Sequence, residues 1–324
     1  MPCPLVGIIP PTLKVSVIIP TRNRSAHLRR TLGHLTEIEI PPSIDLEFVI
    51  VDNGSTDDTQ AAVASFLSQL PNLKWVSQPV PGASRARNLG VQIAQGEIIA
   101  FLDDDVKPCR AWLIEILRSF ENPEISYVGG EITLDPSRTP DWMTPFHHGL
   151  FASTEFQTSE RRASRSANCA YHRRCFAEGM GFDPEIGAGT SYGFAEEFLF
   201  NWGLKEAGMK FAFNPHASVI HEYDVSRVSL DSMIKMAKQT GASGAYAMYH
   251  FAHVVPKLLW LRSRIWSFRA KRVLTVRPSE RTYLTESEFM SIQRASQLNQ
   301  FLTERNRPHN YDLHSRKKIR GVLE

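Results

Sequence analysis

Cysteine is scarce in this chain, and long apolar runs are missing. The four cysteines, Cys3, Cys109, Cys169 and Cys175, form no Cys-x-x-Cys pair. That excludes a zinc knuckle and a thioredoxin-like redox motif, and it fits a reducing compartment. The stretch Phe251 to Leu261 is interrupted by His253, Pro256 and Lys257, and it falls well short of the roughly 20 apolar residues that cross a bilayer. The start, Met1-Pro2-Cys3-Pro4, lacks the basic stretch and unbroken apolar core of a signal peptide, and prolines and Lys14 break the run to Ile19. Internal repeats are absent too. These absences lead to the expectation of a cytoplasmic protein.

What is present is ordinary in bulk and uneven in detail. Of 324 residues, 42% are apolar and 22% charged, a composition usual for a globular enzyme with a full core. The formal charge of +3 hides an asymmetry. Residues 251–324 hold 15 Lys and Arg against 6 Asp and Glu, whereas residues 1–250 hold 22 against 28. A basic tail therefore follows an acidic body.

From Val15 the chain alternates strand-like and helix-like segments, the pattern of a mainly parallel sheet flanked by helices. The strands are expected at Val15 to Pro20, Leu46 to Asp52, Leu73 to Ser77 and Glu97 to Leu102. Helices are expected at Ser25 to Thr36, Thr56 to Leu70, Ala83 to Gln95 and Arg110 to Phe120. In such a sheet the carboxyl ends of the strands line one crevice, where ligands bind. Beyond Tyr127 the pattern weakens. Residues 135–165 form a long mixed segment, with His147 and His148 read as loop residues. Ser191 to Ala207 reads as helix, with short strands near Phe211 and at Ser218 to His221. From Ser229 helices are expected, beginning with the small-residue stretch Gly241-Ala242-Ser243-Gly244-Ala245.

Each strand end carries chemistry. Phe101-Leu102-Asp103-Asp104-Asp105 places three mutually repelling acids where a buried strand emerges, an arrangement suited to water or to a hard divalent cation. Ile18-Ile19-Pro20-Thr21-Arg22-Asn23-Arg24 stops a strand at proline and offers Thr21 and Asn23 to a ligand. In Val51-Asp52-Asn53-Gly54-Ser55-Thr56-Asp57-Asp58-Thr59, Gly54 permits a tight turn and Ser55 or Thr56 is expected to cap the next helix. Capping leaves Asp52 unexplained. In Gly82-Ala83-Ser84-Arg85-Ala86-Arg87-Asn88-Leu89-Gly90, Arg85, Arg87 and Asn88 are expected near the crevice, to meet phosphate or acidic residues. This stretch is no dinucleotide-binding turn, because it follows the third strand rather than the first and no Tyr-x-x-x-Lys pair accompanies it.

Taken together and in this order, these four segments resemble the family 2 glycosyltransferases of GT-A fold. The resemblance implies a nucleotide-diphospho-sugar transferase fold with a mainly parallel sheet, a nucleotide-sugar donor (usually a UDP-sugar) and a Mn²⁺ or Mg²⁺ ion held through an Asp-x-Asp motif. It implies that Pro20, Thr21, Asn23 and Asp52 meet the nucleotide, with Asp52 near the base. Arg87, Asp103 and Asp104 would face ribose, phosphate and sugar, and Asp105 would carry the metal, with Asp103 as a further ligand. Ser166 to Arg174 and Gly181 to Glu185 resemble the acceptor side of the family. Glu196-Glu197 stands in place of its Glu-Asp motif, whose second acid is the catalytic base. Glu197 is one methylene longer than the family's Asp, so the choice between Glu196 and Glu197 stays open. On a helix the two would point about 100° apart, leaving one toward the crevice. His221 resembles a late histidine that completes the metal site or touches the diphosphate in some members, and His216 competes for that role.

This reading divides the chain into a catalytic domain over 1–228, with a nucleotide-binding half (15–134) and an acceptor half (135–228), and a helical basic extension over 229–324. Residues 256–272 mix Leu and Trp with Lys and Arg at roughly helical spacing. They suit the surface of an anionic membrane, useful for a lipid-linked rather than a free saccharide acceptor, or packing on the acidic body. Nucleic acid is not expected as a partner. Two rival functions remain. A sugar nucleotidyltransferase needs a glycine-rich basic loop after the first strand, and Pro20 to Arg24 has no glycine. A non-catalytic sugar-binding protein has no need for an intact acid cluster with Glu196-Glu197.

Overall fold

The computed structural model describes residues 13–158, 162–254, 257, 263 and 282–312. An eight-stranded sheet organises them. β1 (Leu13–Thr21), β2 (Ile44–Asp52), β3 (Leu73–Ser77) and β4 (Ile98–Leu102) form its parallel half, with β1 between β2 and β4. The short β5 (Val106–Pro108), the long β6 (Ile125–Leu134), β7 (Asn168–His172) and β8 (Lys210–His221) complete the order β3-β2-β1-β4-β7-β6-β8-β5. β7 runs antiparallel to both neighbours, β6 pairs in parallel with β8, and β5 is antiparallel to β8. The predicted mainly parallel sheet is thus present, with β7 and β5 as its antiparallel members.

Strand alternation builds two cores. Val15, Val17 and Ile19 of β1 face the layer that holds α1 (Ser25–Leu35), meeting Leu28, Leu32 and Leu35. Ile18 points the other way, with Val49, Val51 and Phe101, under α3 (Ala83–Ile93). Each fully buried Val, Leu, Ile or Phe contributes about 1.5–3 kcal/mol. Gly90 of α3 sets that second spacing: a Cβ there would lie 2.4 Å from Ile18 Cγ2.

Three local expectations are corrected. The helix expected over Thr56 to Leu70 is only α2 (Thr59–Ala64); residues beyond it turn back toward β3, and its N-cap position is Asp58 rather than Ser55 or Thr56. Asp57 explains the shift, because its carboxylate accepts from the Thr59 amide and hydroxyl and holds the chain in a turn. The two short strands expected after residue 209 are the single strand β8, whose register on β6 slips between Gly130 and Ile132. His147 is not in a loop. It lies buried in α5 (Pro145–Leu150), which starts with a Thr144–His147 capping box, and its Nε2 lies 2.8 Å from the Leu284 carbonyl.

α4 (Trp112–Ser119) and α6 (Glu196–Glu206) flank the second half of the sheet. The C-terminal helices α7 (Leu230–Tyr246) and α8 (Glu286–Glu304) pack on each other. Gly241 makes that contact close, since a Cβ there would lie 2.2 Å from the Gln293 carbonyl. They also rest on the body: Met233, Met236, Leu284 and Phe289 share a cluster with Leu134, Phe151 and Tyr223. The amphipathic segment 256–272 lies outside the described residues except Lys257 and Ser263. Among the described residues no helix is long and apolar enough to cross a membrane.

Candidate active site

The carboxyl ends of β1 and β4, the start of α6 and the end of β8 enclose a cleft of about 910 Å³. Pro20, Thr21, Arg87, Asp103, Asp104, Asp105, Glu196, Glu197 and His221 all line it. These residues are separated by up to two hundred positions in sequence, and sheet topology collects them. β1 and β4 are neighbours, so Thr21 Oγ1 reaches Asp104 Oδ2 at 2.7 Å. β5 begins one residue after Asp105 and pairs Val106 with His221, which sets His221 Nε2 3.3 Å from Asp105 Oδ1.

Two arginines organise the acids. Arg87, 3% exposed, donates from Nη1 to Glu196 at 2.7 Å and from Nη2 to Asp103 at 3.1 Å. Arg24 takes the other pair. Its Nε lies 2.9 Å from Asp104 Oδ1, and its Nη2 donates to Asp105 Oδ2. Sequence reasoning gave Arg24 no role. Its only signal was a second arginine in the loop after β1, and nothing local says which strand that arginine faces.

The electrostatics follow from burial among these charges. Burial raises the Asp104 pKa far above the carboxylate range despite the pull of Arg24. Burial acts on Asp105 as well, but His221 and Arg24 overcome it and hold its pKa well below that range. The His221 pKa stands above its ordinary value, since Asp105 outweighs the burial that would lower it. Burial and the neighbouring Glu197 charge push Glu196 up against the pull of Arg87.

Glu196 and Glu197 occupy the first turn of α6, after Ala195 in the left-handed region (φ 83°). Both line the cleft, so the expectation that only one would face it is corrected. The two are not equivalent. Glu196 is committed to Arg87, whereas Glu197 has Arg165 Nη1 at 3.8 Å.

Asn23, exposed, and Asp52, buried, are not among the residues that line the cleft. Asn23 Oδ1 accepts from the Thr56 amide at 2.7 Å, and Asp52 Oδ1 accepts from the Ser55 amide at 2.9 Å. Both shape the β2–α2 turn at the crevice edge. Asn53, which drew no role from sequence, ties the β3–α3 loop through Gln78 O (3.0 Å), Val80 O (2.8 Å) and the Gly82 amide (2.7 Å). Asn88 does not face the crevice. It clamps the Phe182 backbone from Nδ2 and Oδ1, at 2.8 and 2.9 Å. Asn168 is a buried hub between Trp112, Glu131 O and Ala217 O. His216 is exposed, away from the cleft.

Among the described residues no group of three or more His, Cys, Asp and Glu side chains is placed to hold a metal. The pair Asp105 and His221 nevertheless fits a cation. His221 Nδ1 lies 2.8 Å from the Phe151 carbonyl and so must carry a proton to donate there. Nε2 then faces a carboxylate oxygen, which a proton or a cation must separate from it. One carboxylate and one imidazole are donors that suit Mn²⁺.

An open sheet with acids at a strand end, closed by a second acidic pair on a helix, defines a GT-A nucleotide-diphospho-sugar transferase fold. The chain belongs to glycosyl transferase family 2, whose family model matches residues 16–179. It is 34% identical over 119 residues to glycosyltransferase AglE of Haloferax volcanii, covering 36% of this chain and 39% of that protein. With the succinoglycan biosynthesis protein ExoM of Rhizobium meliloti it shares 28% over 246 residues, 75% of this chain and 77% of ExoM. The pre-mycofactocin glycosyltransferase of Mycobacterium tuberculosis is 25% identical over 256 residues, where the match spans half of that protein. Among solved structures, the mannosyltransferase PcManGT of Pyrobaculum calidifontis, in complex with GDP-Man and Mn²⁺, superposes with a TM-score of 0.55 at 20% identity, over 91% of this chain and 75% of its own. S. aureus TarS 1-349 with UDP-GlcNAc gives 0.50 at 16%, over 91% of each chain. At these identities the two structures speak to the fold.

Proposed function

We propose that this protein transfers a sugar from a nucleotide diphosphate donor, a UDP-sugar in the first instance, to an acceptor hydroxyl with inversion at the anomeric carbon. The observation that carries the reading is the linkage of Asp103 at the end of β4 to Glu196 on α6 through Arg87, which fixes a donor-side acid and the base-bearing helix in one frame. In this reading Asp52, Asn23, Pro20 and Thr21 form the nucleotide end, and Asp103 and Asp104 face ribose and sugar. Asp105 and His221 would hold Mn²⁺ or Mg²⁺, which supplies charge stabilisation to the departing diphosphate.

Glu197 is the base because Arg87 already occupies Glu196. The acceptor oxygen bonds to the anomeric carbon as the bond from that carbon to the diphosphate oxygen breaks on the opposite face, and the acceptor proton passes to the Glu197 carboxylate. One base suffices for this geometry. Arg22, Arg227 and Lys235 also line the cleft and add positive potential for a diphosphate. The names of the relatives, one in succinoglycan biosynthesis, support an acceptor in a polysaccharide or glycoconjugate, free or lipid-linked. Docking of 256–272 on a membrane belongs to the same proposal.

The test is a thermal-shift panel of UDP, GDP, CDP, dTDP and ADP, each with Mn²⁺ or with chelator, on wild type and Asp105→Ala. Metal-dependent stabilisation by one diphosphate, lost in the variant, supports the reading and names the nucleotide. No stabilisation by any of them overturns it.

A further inference from the structure

We propose that Arg24 is an exchangeable cation. It neutralises Asp104 and Asp105 while the donor is absent, and it passes to the donor's phosphates when a divalent ion takes over the charge of those acids. The inference rests on the donor-site reading above and goes beyond it by giving the metal a competitor built into the chain.

The geometry is specific. Arg24 precedes α1 and reaches across the crevice to contact both acids at once. Asp105 is 4% and Asp104 9% exposed at the side chain, so without Arg24 two adjacent carboxylates would stand buried with His221, the Thr21 hydroxyl and the Arg227 charge to offset them. Such a pair demands a cation. Yet the contact is incomplete as a hydrogen-bonded pairing. Nε is buried without a hydrogen-bond partner, although it sits 2.9 Å from Asp104 Oδ1, so its N–H is not aimed at that oxygen. The Asp104 contact is thus held by charge more than by direction, whereas the bond from Nη2 to Asp105 is directed.

Charge accounting gives the exchange its direction. A divalent ion on Asp105 and His221 would stand beside a guanidinium already bonded to Asp105, and two cations on one carboxylate repel. The guanidinium is the one on a flexible stem, with a 26% exposed side chain. A diphosphate brought to the same cleft offers it anionic oxygens in a geometry that suits its fork. Metal and diphosphate would therefore bind cooperatively, each favouring the state in which Arg24 has left the acids.

The test measures Mn²⁺ binding alone, by the electron paramagnetic resonance signal of free Mn²⁺, and then UDP and GDP binding by calorimetry with and without Mn²⁺. Wild type, Arg24→Met and Arg24→Lys are compared. Arg24→Met is expected to bind Mn²⁺ alone at least about tenfold more tightly than wild type, yet to bind the Mn²⁺–diphosphate more weakly, with most of the cooperativity lost. Arg24→Lys keeps the charge and should stay near wild type for Mn²⁺ alone, which separates charge competition from a general loss of packing. Unchanged or weaker Mn²⁺ binding by Arg24→Met, in a wild type that does bind a diphosphate with Mn²⁺, overturns the exchange and leaves the donor site standing. If wild type binds neither diphosphate under any condition, the donor-site reading falls and takes the exchange with it.

Discussion

Arg87 joins the two sides of the cleft, bonding Glu196 at the start of α6 and Asp103 after β4 from one guanidinium. Both Arg87 and Glu196 are buried, so the pair is stable only as a pair. Burial opposes the Arg87 charge, but Glu196 and Asp103 hold its pKa above the ordinary value. Replacing Arg87 by Met leaves a buried glutamate without its cation, and such changes cost about 3–5 kcal/mol. The urea midpoint of Arg87→Met should fall accordingly, and Arg87→Met/Glu196→Gln should recover part of the loss. A single variant as stable as wild type would remove the frame on which the site reading rests.

The second prediction separates the two glutamates. If Glu197 takes the acceptor proton, Glu197→Gln lowers kcat by roughly a hundredfold or more, the usual worth of a general base, with the nucleotide Kd unchanged. Glu196→Gln should act through position, lowering stability and weakening donor binding because its amide pairs less strongly with Arg87. Equal kcat losses with equal thermal shifts would assign both residues to the same role.

Much of this site was legible in sequence, because parallel strands end on one edge and each motif names its own strand end. β3 falls where β-branched and aromatic residues predicted it, and β1 and α3 differ from prediction by two residues or fewer at each end. What sequence withheld was pairing across distance. Nothing around Arg24 says that it reaches acids some eighty positions away, and Asn53 reads as a turn residue until its three loop contacts are seen. The short β5 was hidden because three residues carry no periodicity. It is nevertheless the element that brings His221 beside Asp105.

Gly130 offers a test of the fold itself. It lies on β6, where a Cβ would meet the Ala217 carbonyl at 2.1 Å and Asn168 Nδ2 at 2.3 Å. The Asn168 hub occupies that space, donating to Ala217 O at 2.8 Å and accepting from Trp112 Nε1 at 2.9 Å. Backbone and a fully buried side chain cannot give way cheaply, so Gly130→Ala should cost at least the roughly 1–3 kcal/mol of overpacking, and more if the Asn168 bond is lost. Gly149→Ala, where no atom lies within 4 Å of the added Cβ, is the matched control and should shift the denaturation midpoint little.

The last prediction concerns acid and the C-terminal helices. Glu304, at the end of α8, is fully buried. His250 Nε2 lies 2.9 Å away, and Tyr192 donates to it at 2.6 Å, Gln300 at 2.5 Å and Arg307 at 3.1 Å. Burial opposes the charge, but these partners hold its pKa at about 2 rather than 4.5. A depressed carboxylate stabilises the fold fully above its unfolded value and loses that stabilisation as pH falls from about 4.5 toward 2, by up to about 1.4 kcal/mol per pH unit for one proton. Tyr192 stands in the loop just before α6, and Arg307 also bonds Glu185 at 2.7 Å, so the C-terminal helix is tied to the segment that leads into Glu196 and Glu197. Unfolding followed by urea at a series of acidic pH values should show Glu304→Gln less stable than wild type near neutrality, with a flatter decline below pH 4.5. Parallel curves for the two proteins would show that Glu304 is not the group that acid reaches.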